Sequence, residues 1–195
     1  MSEESLSSRL IYSGRIMEVR VDEVRLADGK LSIRELVRVA DAVLMLPLLD
    51  DGTVLLIRQY RKGPEVDLLE LPAGKIDPGE DPLSAAHREL LEETGYRAGK
   101  LERLSGVYTC PGFCNELIHL YLATELKRER PRPDDDELIR LVPTPLAEVE
   151  RMLFDGRLVD SKSVAALGLY FMRRASGRGV RGGPLPPLGG SALTG

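Results

Sequence analysis

Several absences narrow what this chain of 195 residues can do. It has no basic excess: 27 Lys and Arg stand against 31 Asp and Glu, a net charge of −4, so no overall positive field draws a nucleic acid. It has no apolar run near the roughly 20 residues that a helix needs to span a bilayer, so no membrane partner is expected. The opening stretch, MSEESLSSRL, lacks the basic segment and apolar core of a secretion signal. Cysteine is scarce, with only Cys110 and Cys114, so the expectation is a cytoplasmic protein with reduced thiols. The only histidines are His87 and His119, and His87 lies on a segment that reads as a helix, so a four-ligand zinc site with that cysteine pair is not expected. What is present, 43% hydrophobic and 30% charged residues, fits a globular protein with one well-buried domain or one domain and a small appendage.

Hydrophobic patterning divides the chain into an N-terminal β-sheet region (1–41), a main domain (42–175) and a Gly/Pro-rich tail (176–195). From Ile16 to Val39 apolar residues alternate imperfectly with charged ones on either side of an Ala-Asp-Gly turn at 27–29, which predicts a small antiparallel sheet. AVLMLPLL (42–49) reads as a buried strand, and TVLLIRQYR (53–61) as its hairpin partner across Asp-Asp-Gly. Shorter extended pieces are predicted at 68–72, 101–109, 116–126 and 137–143. Two helices close the domain. Thr144 can cap the first, with Pro145 at its first position and Gly156 ending it. The second spans Ser161–Ala175, with Val164, Leu167, Leu169, Tyr170 and Phe171 supplying its apolar surface. The last 20 residues hold seven glycines and three prolines, and this tail is expected to be disordered.

The segment GKIDPGEDPLSAAHRELLEETGY (74–96) carries the chemistry. Asp81 fits an N-cap, Pro82 the first helical position and Gly95 the left-handed residue past the end, which predicts a helix over 82–94. At helical spacing Leu83, Ala86 and Leu90 share an inward face, while Glu89, Glu92 and Glu93 share another. Like charges so placed cost about 0.2–0.5 kcal/mol per pair, and acids in a last turn also meet the negative end of the helix dipole. A solvated face offset by Arg88 is one explanation. A hard divalent cation that removes the repulsion is the other.

The spacing is more specific than the charge. Gly74, five residues, Glu80, seven residues, Arg88-Glu89-Leu90, one residue, Glu92-Glu93, one residue, Gly95-Tyr96 resembles the Nudix box at each of its nine fixed positions. The resemblance implies an α/β (α+β) Nudix fold, a mixed β-sheet between helices, here with a small N-terminal antiparallel sheet. It also implies hydrolysis of a nucleoside diphosphate linked to another group. On this likeness Glu89, Glu92 and Glu93 are the metal ligands, with Mg²⁺ as cofactor and Mn²⁺ or Zn²⁺ as substitutes. Arg88 orients the glutamates and Glu80 supports it.

Features outside the box resemble the ADP-ribose pyrophosphatase branch. Pro111 lies sixteen residues beyond Gly95. In ELPAGKIDPGE (70–80) the carbonyl of Ala73 matches a further metal ligand. RQYR (58–61) places Arg61 where that branch meets substrate phosphates, and GRLVDSKSVAAL (156–167) resembles the start of its C-terminal helix. Glu116 matches a loop acid near the ribose and the metals. Arg34 matches an arginine that reaches the partner's site in domain-swapped homodimers. Glu137, directly before the strand LIRL, matches the loop glutamate that serves as base, with Glu92 or Glu93 as the alternative. The reaction implied is cleavage of ADP-ribose to AMP and ribose 5-phosphate. GDP-mannose or another nucleotide sugar is the alternative substrate, and a non-catalytic ADP-ribose-binding regulator the rival against which the intact box speaks. One departure concerns the base: some relatives stack it on an N-terminal aromatic, whereas this chain has no tryptophan and only Tyr12 in that region.

Overall fold

The computed structural model describes residues 3–129 and 138–177. Strands β1 (Glu4–Ser13), β2 (Glu18–Arg25) and β3 (Leu31–Arg38) form an antiparallel sheet in that order. Strands β4 (Ala42–Pro47), β5 (Thr53–Arg61), β6 (Val66–Glu70) and β7 (Ala73–Lys75) lead to helix α1 (Pro82–Thr94). Two long strands follow, β8 (Tyr96–Tyr108) and β9 (Leu117–Arg128), and then β10 (Ile139–Pro145), α2 (Leu146–Phe154) and α3 (Ser161–Ala175). The central sheet runs β7-β4-β9-β8, with β4 and β9 parallel and the other pairs antiparallel. A second antiparallel sheet runs β10-β5-β6.

Strand β4 is buried along its whole length, as its uninterrupted apolar sequence requires. Successive side chains point to opposite faces. Val43 and Met45 therefore join Ala85, Ala86 and Leu90 of α1, while Leu44 and Leu46 join Leu167 and Tyr170 of α3. Strand β9 repeats the division: Tyr121 and Ala123 face the α1 side, Leu120 and Leu122 the α3 side. The mixed sheet thus lies between helices, as the motif implied. Each fully buried Leu or Val contributes about 1.5–3 kcal/mol, so this two-sided core is what holds α1 in place.

Four local expectations need correction. Strand β1 lies mostly ahead of the predicted sheet. It pairs with β2 through polar cross-strand contacts such as Ser8 Oγ to Asp22 (2.5 Å) and Arg25 to Glu4 (2.7 Å). Thr144 does not cap α2: it belongs to β10 and its hydroxyl donates to the Val142 carbonyl at 3.0 Å, leaving Pro145 as the cap residue without a side-chain bond. Leu83, in the first turn of α1, is 44% exposed, and Ala85 is buried instead. Val164 likewise turns away from the core, whereas Ala166, Leu167 and Tyr170 are buried. The predicted tail lies, beyond Gly177, outside the described residues.

Candidate active site

Helix α1 is fixed at both ends by local chemistry. The Asp81 carboxylate accepts from the Leu83 and Ser84 N–H groups at 3.0 and 3.1 Å, satisfying donors that a helix start leaves unpaired. Gly95 takes φ 71° and returns its N–H to the Leu91 carbonyl. The ladder between β7 and β4 then sets Ala73-Gly74-Lys75 beside the acidic face of the helix. A side chain there would have to displace the acid: a Cβ on Gly74 would stand 1.9 Å from Glu89 Cδ and 2.2 Å from both carboxylate oxygens.

Arg88 organises the acids. Its Nε and Nη2 hold Glu80 at 3.1 and 2.8 Å, and Nη1 donates to Glu89 at 2.7 Å and to Glu92 at 3.0 Å. Nη2 also donates to the Lys75 carbonyl at 2.9 Å, tying the helix to the strand before it. Chiefly through the Glu80 bond, and against partial burial, the guanidinium is held charged well above its ordinary value. The Glu80 carboxyl is held below the carboxylate range by the same bond. Glu93 accepts the Ala73 N–H at 2.8 Å, which anchors the third acid to the strand.

A cleft of about 1020 Å³ opens over this face. Ala73, Arg88, Glu89, Glu92 and Glu93 line one side, and Arg61 and Glu116 stand on its walls with them. Seven sequence-predicted residues are thus gathered in one place. Glu80 supports from behind, through Arg88. Pro111 stands outside the lining, exposed in the turn whose Cys110, Phe113 and Cys114 do line the cleft. Arg34 is outside it too: its guanidinium holds Glu3 at 2.5 and 3.0 Å on the N-terminal sheet. Glu137 lies outside the described residues.

Sequence reasoning missed a buried charge network. Glu70 is fully buried, yet its carboxylate takes a fork from Arg61 at 2.9 and 2.8 Å and a bond from Lys162 Nζ at 2.5 Å. Burial opposes its ionisation, but Arg61 and Lys162 together keep the group below its ordinary value. Lys162 also meets Asp160 at 2.8 Å, and Asp160 caps α3 through the Ser163 N–H and hydroxyl. Ser163 Oγ in turn accepts the Leu71 N–H at 2.8 Å. The strand leading to the box and the start of α3 are thereby locked together, with Arg61, Asp160 and Lys162 all on the cleft wall. Glu70 and Lys162 fall inside the two stretches flagged by resemblance, but no local pattern marks their pairing.

The donor set is oxygen-only and anionic on one cleft face, the chemistry that hard Mg²⁺ or Mn²⁺ requires. As placed, Arg88 and the Ala73 N–H share out the carboxylates, and among the described residues no group of three acids, cysteines or histidines already forms an ion cage.

Against known proteins, the NUDIX domain description matches residues 38–167, and a nucleoside diphosphate sugar hydrolase N-terminal domain matches residues 3–37. The chain belongs to the Nudix hydrolase family. It is 35% identical over 177 residues to an ADP-ribose pyrophosphatase of Bacillus subtilis (strain 168), covering 90% of this chain and 96% of that one. It is 39% identical over 175 residues to a methanol dehydrogenase activator of Bacillus methanolicus, covering 89% and 95%. The crystal structure of an ADP compounds hydrolase superposes with a TM-score of 0.81 at 29% identity, covering 91% of this chain and 97% of that one.

Proposed function

We propose that this enzyme hydrolyses the diphosphate of ADP-ribose to AMP and ribose 5-phosphate, with Mg²⁺, as a cytoplasmic homodimer. The observation that carries the reading is the meeting, in one cleft, of the Arg88-ordered glutamates with the cations Arg61 and Lys162. Glu89, Glu92, Glu93 and the Ala73 carbonyl are the groups to hold the ion. When bound, it supplies positive charge that offsets the negative charge building on the leaving phosphate.

The chain's own residues do the rest. Arg61 is pre-set by Glu70, which takes its Nε and Nη2, and its remaining N–H donors meet the substrate phosphates. Glu116 faces the ribose. Glu137 takes the proton from the attacking water, because a carboxylate not committed to metal is the better base. Assembly follows from exposure: β1 is exposed throughout, and Leu6, Leu10, Ile11, Leu31 and Ile33 of its sheet stand 40–71% exposed. A three-stranded sheet with so much open apolar surface needs cover. A second copy provides it and brings Arg34 to the partner's site.

The test is incubation of the purified enzyme with a panel of nucleotide sugars and Mg²⁺, with products identified by mass. AMP and ribose 5-phosphate from ADP-ribose are expected at the highest kcat/KM in the panel. Preferential cleavage of GDP-mannose would overturn the substrate assignment.

A further inference from the structure

We propose that Cys110 and Cys114 form a peroxide-sensitive dithiol on the cleft wall, which closes to a disulfide and slows turnover. The bridge is independent of the substrate; its effect on turnover rests on the reading of this cleft as the active site. These are the chain's only cysteines, and both line the cleft. Both are free thiols, Cys110 exposed and Cys114 partly buried. The Cys110 carbonyl accepts the Phe113 N–H at 3.0 Å and the Cys114 N–H at 2.8 Å, so the two cysteines bound one helical turn. With a rise of about 1.5 Å per residue their Cα atoms stand about 6 Å apart, inside the range of roughly 4.4–6.8 Å that a disulfide spans. The turn is also anchored. The Phe113 carbonyl accepts the Val37 N–H at 2.7 Å, and the Asn115 side chain exchanges two hydrogen bonds with the Val39 backbone, both at 2.9 Å. Both sulfurs are thus carried on one short segment fastened to the end of β3.

Glu116 is the residue that the bridge disturbs. Its N–H donates to Cys114 Sγ at 3.5 Å, and its carbonyl accepts the Thr109 N–H at 3.3 Å, so the two ends of the turn hold the backbone of this cleft acid. Turning Cys114 Sγ toward Cys110 withdraws that acceptor and shifts Glu116. The chemistry needs hydrogen peroxide as oxidant. Cys110, the more open thiol, attacks one peroxide oxygen; the O–O bond breaks, one water leaves and a sulfenic acid forms. The Cys114 sulfur then attacks the Cys110 sulfur, forming S–S, breaking S–O and releasing the second water. Two thiols are oxidised by two electrons and one peroxide is reduced to two waters. In a reducing compartment such a bridge is transient, because thiol exchange opens it again.

The test treats the reduced, full-length protein with hydrogen peroxide and follows intact mass, peptide mapping and hydrolysis of the best substrate of the nucleotide-sugar panel. A mass lower by two hydrogens and a Cys110–Cys114 link within one chain are expected. With them kcat/KM should fall about tenfold, since a full 1 Å misplacement costs about 100-fold. Dithiothreitol should restore both mass and rate. Cys110→Ser and Cys114→Ser should each keep, after peroxide, the rate they had before it. Oxygen added without a link, links between chains, or thiols left intact would overturn the site. A bridge that leaves the rate unchanged, or equal slowing in the two variants, would overturn its control of the cleft. A bridge that forms in a protein cleaving no substrate of the panel would support the site and overturn the proposed function instead.

Discussion

Gly74→Ala adds one methyl group at the point where the strand and the acidic helix touch. The new Cβ would sit 1.9 Å from Glu89 Cδ, about 1.5 Å short of ordinary van der Waals contact. Gly74 is not among the positive-φ glycines, so the substitution brings no backbone strain of its own. The contact must be relieved by moving the carboxylate, since β7 is paired to β4 and α1 is packed against the core. A shift of that size breaks the 2.7 Å bond from Arg88 to Glu89 and takes a candidate metal ligand off its place. Misplacing a catalytic group by about 1 Å costs on the order of 100-fold in rate. Overpacking costs about 1–3 kcal/mol of stability. The expected result is a kcat about 100-fold lower, weaker Mg²⁺ binding by calorimetry, and a urea midpoint only modestly reduced. Shortening the acid makes room for the methyl, so Gly74→Ala with Glu89→Asp should recover part of the loss that each change causes alone. Normal turnover in Gly74→Ala would refute the claim that this glycine exists to admit Glu89.

Glu93→Gln should reduce Mg²⁺-dependent turnover sharply while the circular dichroism spectrum stays unchanged, because the side chain lies on a cleft wall. Glu137→Gln should lower kcat by about 10²–10⁴-fold with metal affinity intact, while Asp134, Asp135 and Asp136 changed singly to Asn do far less; near-normal turnover would send the search for a base back to α1. Mixing inactive Arg34→Ala with inactive Glu93→Gln subunits should restore some activity if sites are shared, and an active monomer in light scattering would end that idea. Glu70→Ala strips a buried carboxylate from two cations and should cost about 3–5 kcal/mol in urea unfolding. The sign of its pH dependence follows from the depressed folded-state value: the contribution is fully present above the ordinary carboxyl value of 4.5 and is lost as pH falls through the lower folded one. Between pH 6 and pH 3 the parent should therefore lose more stability than Glu70→Gln, and parallel losses would show that the network does not act through ionisation.

The parts of this fold that could be read from the sequence are those that short-range chemistry decides. Helix α1 begins at Pro82 and ends at Thr94, as predicted, because Asp81, Pro82 and Gly95 each meet a local demand of the backbone. Strands β4 and β5 declare themselves by apolar runs that only a two-faced core can absorb. Strand β1 does not: ESLSSRLIYS is Ser-rich, and what makes it a strand is the pairing offered by β2. Thr144-Pro145 carries the signature of a helix start, yet β10 pairs with β5 as far as Pro145 against Thr53, so the ladder uses Thr144 before the helix can.

The same division runs through the site. Glu89, Glu92 and Glu93 stand at a fixed helical spacing, and their grouping survives any tertiary arrangement that keeps α1 intact. Arg88 has partners before it in the turn and beside it on the helix, so its role is equally local. Glu70 is the opposite case. An acid after two leucines looks like the outer face of a strand, and it is the Arg61 fork together with Lys162, 92 residues away, that makes its burial tolerable. A buried carboxylate has to be paired, and the pairing here spans the join between the strand before the box and the first turn of α3. Arg61 belongs to that join as much as to the cleft. Its fork to Glu70 fixes the direction from which a phosphate can be met, so the far end of the chain helps aim a residue on β5 that the helix cannot reach.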